Sequence, residues 1–179
     1  MLDLKVSASA GSYDVVAVTN WRSGKLARQL WFQDELGLPP GRYAVFDFWN
    51  QKFLGTFEQA MDVEVASHDT AVLAVHPAED HPQLLGTARH ISGAFSIDAL
   101  KWDNAHSRLE GRSTTIPGTP YTLWIRVPAK FTMSSAKAAS NNRGVEVQLI
   151  QSGELLRLTI PGQQNLVNWE IQFRSPPKN

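Results

Sequence analysis

The sequence predicts an all-β protein, an antiparallel β-sandwich built as two consecutive β units. Three observations predict it. Apolar and polar residues alternate with period two through most of the chain, as in "DVVAVTNW" and "LVNWEIQF". Turn residues recur at short intervals, among them Asn50-Gln51, "PGTP" and Gln151-Ser152-Gly153. No stretch sustains the helical period long enough for a long helix.

Taken in order, "DVVAVTNW" reads as a strand, with "KLARQLWF" as another facing it. "QDELGLPPG" is a loop with room for one helical turn, closed by Pro39, Pro40 and Gly41. "RYAVFDFW" and "KFLGTF" form a hairpin around Asn50-Gln51. "MDVEVASHDTAVLAVHP" reads as a second hairpin, turning near Ser67-His68-Asp69. The proline-rich, acidic "HPAEDHPQ" is the predicted linker, dividing a first unit, 1–78, from a second, 79–179. In the second unit "FSIDALKWD" holds short strands, and "SRLEGRSTTI" and "YTLWIRVP" flank the turn "PGTP". "TMSSAKAASNNRG", small and polar, reads as a loop or weak helical turn. "GVEVQLI" and "ELLRLTI" form a hairpin, "LVNWEIQF" is a last strand and "RSPPKN" a frayed tail.

Composition narrows the function. The 179 residues balance 17 basic against 17 acidic side chains, with no run of one sign. A nucleic-acid groove or an anionic membrane surface calls for a basic patch, so neither partner is expected. There is no cysteine, which excludes thiol catalysis and a disulfide framework. No apolar run approaches a membrane span, and "MLDLKVSASAGSYD" lacks the basic head and apolar core of a signal peptide. A cytoplasmic location is the default expectation.

The segment "RYAVFDFWNQKFLG" concentrates aromatic residues. On a strand, Ala44, Phe46 and Phe48 share one purely apolar face, read as core. Tyr43, Val45, Asp47 and Trp49 share the other, read as a docking or loop-bracing face, with Asp47 tying the turn and Trp49 covering the sandwich edge. Among the six tryptophans, Trp124 and Trp169 occupy strand positions and read as core or interface. Trp102, before a loop, is the best exposed candidate. Asp47, Trp49 and Trp102 are therefore the candidate ligand-binding residues.

Other constellations carry no chemistry. The five histidines, His68, His76, His81, His90 and His106, lack metal-ligand spacing. His76 and His81 read as solvent-exposed, and His90 as a hydrogen-bonded structural residue. No G-x-S-x-G elbow or phosphate-binding glycine loop occurs. Asp34-Glu35 and Glu79-Asp80 are adjacent pairs, read as solvated loop charges. No catalytic residue, metal site or cofactor is expected.

"DVVAVTNW", "GLPPGRYAVFDFWNQKFLG" and the strand ending "AVLAVHP" resemble the C-terminal β-sandwich of melibiase, or α-galactosidase-like, glycoside hydrolases. "PQLLGTARHISGAFSIDALKWDNAHSRLEGRS" with "YTLWIRVP" resembles an extension that follows that sandwich in some bacterial members. In that family the chemistry is performed by two carboxylates on a preceding (β/α)8 barrel, which alone needs about 250 residues. The resemblance thus implies a non-catalytic accessory domain that supports or flanks a barrel not included in this chain, and a chain that is a piece of a longer reading frame. It also implies a barrel-facing side at the N-terminal strands and the loop 33–41. An apolar patch is expected there around Trp31 and Leu36, free or covered by a homodimer. The competing expectation is a free-standing carbohydrate-binding module. An independent enzyme is not expected.

Overall fold

The structure, a computed structural model, describes residues 1–93, 95–141, 143–162 and 166–174. It is all-β, with one short helix among these residues. Two compact units are present: Met1–Ser7 with Gly11–Ala78, and Ala8–Ala10 with the chain from Glu79 on.

The first unit contains β1 (Leu2–Ala8), β2 (Gly11–Asn20), β3 (Leu26–Trp31), α1 (Phe32–Leu36), β4 (Tyr43–Asp47), β5 (Lys52–Phe57), β6 (Ala60–Val65) and β7 (Asp69–Pro77). One sheet runs β1-β2-β7-β4-β5, and the other is the pair β3-β6. Their core is formed by Val16, Val18, Leu30, Val63, Leu73 and Val75 with Phe32, Leu36, Tyr43 and Val45. Strand alternation produces it directly: in β6, Met61, Val63 and Val65 are buried while Asp62 and Glu64 face solvent.

Two sequence expectations are corrected here. "MDVEVASHDTAVLAVHP" is not a hairpin. β6 pairs with β3, whereas β7 crosses to the other sheet and lies between β2 and β4. A turn of suitable length permits a hairpin but does not choose the partner of either strand. The faces of β4 also differ from the expectation. Tyr43 and Val45, read as a docking face, join the sandwich core, and all five residues of β4 are buried. Phe46 is buried, but Phe48 lies past the strand end, half-buried in the turn. His76, read as exposed, is buried on β7 and stacks on Tyr13, ring centroids 4.1 Å apart. Burial pushes the Tyr13 hydroxyl up to about 12.

Two residues of the first unit, Asn20 and Gly55, have distinct structural roles. Asn20, 2% exposed, aims its amide at the carbonyls of Gly24 (2.8 Å), Val65 (3.2 Å) and Ala66 (2.9 Å). Its Oδ1 accepts from the Arg22 amide at 3.0 Å. One side chain thereby joins the end of β2 to the end of β6. Gly55 sits opposite the irregularity between Val45 and Phe46 with φ +132°, where a Cβ would be strained.

The second unit contains β8 (Gln83–Thr87), β9 (Ile97–Asp103), β10 (Arg108–Thr114), β11 (Tyr121–Arg126), β12 (Thr132–Ser140), β13 (Arg143–Val145), β14 (Gln148–Ser152), β15 (Leu155–Ile160) and β16 (Leu166–Arg174). Its sheets run β13-β12-β16-β10-β9 and β14-β15-β11-β8. β10 and β11, which flank "PGTP", belong to different sheets and do not pair. "TMSSAKAAS", read as a loop, is the strand β12, paired with β16. Its own propensity for strand is low, but the partner strand satisfies its backbone, and small residues such as Ala138, opposite Trp169, leave room for the bulky ring. β14 and β15 form the expected hairpin. Of the predicted frayed tail "RSPPKN", Arg174 ends β16, and 175–179 lie outside the described residues.

Buried hydroxyls tie this core. Ser96 Oγ lies 2.8 Å from Tyr121 Oη and 3.2 Å from Thr87 Oγ1. Trp169 Nε1 donates to Ser113 Oγ at 2.9 Å. Arg126, 5% exposed, donates to the Glu79 carbonyl at 2.9 Å and approaches Glu154 at 3.3 Å.

Candidate functional site

Of the three residues proposed from the sequence, Asp47 and Trp49 belong to the first unit and Trp102 to the second. Asp47 is 8% exposed, and its two oxygens accept from the Asn50 amide (3.0 Å) and the Asn50 side chain (2.8 Å). This carboxylate braces the hairpin turn. Trp49 is 59% exposed and meets Phe48 edge to face at 5.0 Å. Trp102 belongs to the second unit. It lies on β9, half-buried, not on an exposed loop. It stacks on His81 at 4.9 Å and 7°, with Phe131 edge-on at 5.6 Å. Trp49 thus keeps most of its ring in solvent, whereas Trp102 is packed between other rings.

A better-formed site lies in the first unit, where three separate segments meet. The end of β3 and α1 supply Trp31, Gln33 and Asp34. The approach to β4 supplies Arg42. The turn between β5 and β6 supplies Glu58 and Gln59. Together with Pro39 and Pro40 they line a groove of about 480 Å³.

The groove is held from beneath. Phe32 is 1% exposed and meets the Tyr43 ring edge-on at 5.3 Å. Its amide donates to the Gln59 carbonyl at 2.9 Å, which joins α1 to the β5–β6 turn. Glu35 accepts from the Trp31 amide at 2.9 Å and from Arg28. The backbone bond and then the guanidinium hold its carboxyl below the ordinary value, against burial. Glu35 is therefore a brace, not the solvated loop charge expected. α1 ends at Gly37, φ +63°, whose amide donates to Gln33 at 3.0 Å, a left-handed cap suited to glycine. Tyr43 Oη donates to the Pro39 carbonyl at 2.6 Å, which fixes the proline loop.

This arrangement also revises the expected apolar patch. Leu36 is 2% exposed and belongs to the core, whereas Trp31 is 43% exposed. The groove beside Trp31 is lined about equally by polar and apolar surface, with Gln33, Asp34, Arg42, Glu58 and Gln59 interrupting the apolar part.

A second polar cluster adjoins β1. Lys5 binds Asp14 at 2.5 Å and Asp3 at 2.9 Å, and donates to the Leu36 carbonyl. Burial raises the Asp14 carboxyl, and the Lys5 hydrogen bond opposes it only in part. This cluster latches the edge strand β1 to the sandwich. No group of three or more His, Cys, Asp or Glu side chains that could hold a metal ion occurs among the described residues.

A two-sheet antiparallel sandwich with its groove at one end defines the first unit as a β-sandwich module. Residues 5–75, all but the ends of the first unit, match the family model for the alpha galactosidase C-terminal beta sandwich domain. The match ends before Glu79, where the main segment of the second unit begins. Among solved structures, the chain is similar to an isomalto-dextranase of Arthrobacter globiformis T6 complexed with panose, at 15% identity and a TM-score of 0.33. That similarity covers 89% of this chain and 34% of the other, so the chain spans about a third of that protein. No curated protein matches the chain.

Proposed function

We propose that this chain is a non-catalytic accessory part of a glycoside hydrolase, supporting a catalytic (β/α)8 barrel and supplying no residue to the reaction. The match of residues 5–75 to the alpha galactosidase C-terminal sandwich domain carries this reading. A domain described as C-terminal has a neighbour before it.

The commitments of the buried and braced carboxylates support it. Asp14 is paired with Lys5, Glu35 with Arg28, and Asp47 with its own turn. Each performs a structural task and is not free to act as the acid or nucleophile of glycoside hydrolysis. The edge strand β1 offers the surface for the barrel. Leu2 and Leu4 point the same way along this strand and are 76% and 54% exposed. Their exposure supports a contact with another domain along this edge.

The test is hydrolysis by the purified chain across aryl α-galactosides and other aryl glycosides. No turnover is expected. Turnover that follows the folded protein through purification, and disappears on unfolding, overturns the proposal.

A further inference from the structure

We infer that the groove beside Trp31 is a binding site for a neutral carbohydrate, recognised as a pyranose chain stacked on the indole. This goes beyond the accessory role, and it rests on the barrel packing against the β1 edge so that the loop 33–41 stays open.

The first observation is the state of the polar side chains. Gln33, Asp34, Arg42, Glu58 and Gln59 line one groove, and none of these side chains has a hydrogen-bond or ion-pair partner among the described residues. Their neighbours Arg28 and Glu35 are paired with one another. Two amides, two carboxylates and a guanidinium are planar groups with two adjacent donor or acceptor positions each. Such groups match the vicinal hydroxyls of a sugar, which donate and accept at once.

The second observation is Trp31. Its strand neighbour Leu30 is fully buried, so alternation turns the indole outward onto the groove wall. A pyranose presents an apolar C–H face. That face gains dispersion on a flat ring while its equatorial hydroxyls stay free for the polar rim.

The third is rigidity. The Phe32 amide bond to Gln59, the Glu35 brace and the Tyr43 hydroxyl on Pro39 hold all three contributing segments without a ligand. A groove so held loses little conformational freedom on binding. Its volume of about 480 Å³ lies within the ordinary range of small-ligand sites.

Charge weighs against the competing occupants. Two carboxylates against one guanidinium disfavour phosphate, nucleic acid and acidic glycans. A protein-docking core would be depleted of charged groups, and this lining is rich in them.

Two-dimensional ¹H–¹⁵N NMR of the full chain tests the proposal through its indole N–H signals. The probes are maltotriose, isomaltotriose and an α-galactobiose, with an oligoglucuronate as the anionic control. At least one neutral probe is expected to shift the Trp31 indole and the Arg42 and Gln59 signals saturably. The affinity should fall at least tenfold in Trp31→Ala and in Arg42→Ala, and stay unchanged in Trp49→Ala. Thermal unfolding should show that these variants remain folded, since Trp31 and Arg42 are exposed. No shift with any neutral probe at tens of millimolar overturns the inference. Binding that survives Trp31→Ala, or a preference for the oligoglucuronate, does so too. None of these outcomes bears on the hydrolysis assay, so failure here leaves the accessory role standing.

Discussion

Gly111→Ala should unfold the second unit's core more severely than one methyl group suggests. Gly111 faces Trp169 across the β10–β16 pair. A Cβ placed on Gly111 would lie 2.1 Å from Cζ2, 2.4 Å from Cε2 and 2.7 Å from Cη2 of Trp169. Carbon atoms rest about 3.5–4.0 Å apart, so the indole must retreat by more than about 1 Å. It has nowhere to go, being 3% exposed and hydrogen-bonded to Ser113, itself fully buried. Overpacking costs about 1–3 kcal/mol. Losing the Trp169–Ser113 bond adds about 1 kcal/mol, and replacing a strand glycine returns about 0.5–1 kcal/mol. The net loss is about 1–3.5 kcal/mol. Urea unfolding followed by far-ultraviolet circular dichroism measures it without relying on tryptophan fluorescence. In a Trp169→Leu background the same alanine should cost nothing, because the clashing ring is gone. A Gly111→Ala stability within about 0.5 kcal/mol of the parent, or strict additivity in the double-mutant cycle, would refute the reasoning.

Three further outcomes are expected. Phe46→Ala should destabilise by about 3–5 kcal/mol, the range for emptying a buried phenylalanine site, and a loss under about 1 kcal/mol in urea unfolding would contradict its burial. Asn20→Ala should cost about 1–3 kcal/mol, since the carbonyls of Val65 and Ala66 lose their donor; amide exchange should quicken at the ends of β2 and β6 before it does elsewhere. Glu35 has a lowered carboxyl pKa in the folded state, so its stabilisation is present above its ordinary value of 4.5 and is lost as pH falls through the folded value. The stability difference between the parent and Glu35→Gln should therefore be constant near neutrality and shrink on acidification; a difference that grows in acid would reverse the assignment. Asp14, raised by burial, acts in the opposite direction, which is why the difference and not the absolute curve is the measurement.

The determinants that were legible in the sequence are local ones. Alternation in "MDVEV" determines which residues of β6 face the core, because successive strand side chains point to opposite faces wherever the strand lies. The glycine in Gln151-Ser152-Gly153 determines a turn between β14 and β15 for the same reason: the conformation belongs to a few adjacent residues. The C-terminal sandwich resemblance was legible in "DVVAVTNW" and "YAVFDFWNQKFLG", where Asn20 and Gly55 each perform a job that few other residues could.

Tertiary structure alone decided what depends on distant partners. β6 and β7 are joined by a short turn yet enter different sheets, since pairing is settled by which edge buries more surface. β12 is a strand because β16 satisfies its backbone and supplies the tryptophan that its alanines accommodate. Trp102 looked free and is enclosed by His81 and Phe131, neither of them near it in sequence. Trp31 looked like one tryptophan among six. It becomes a groove wall because folding brings residues 31–34, 42 and 58–59 together, and no spacing along the chain encodes a juxtaposition of three segments that only packing against a common core can create.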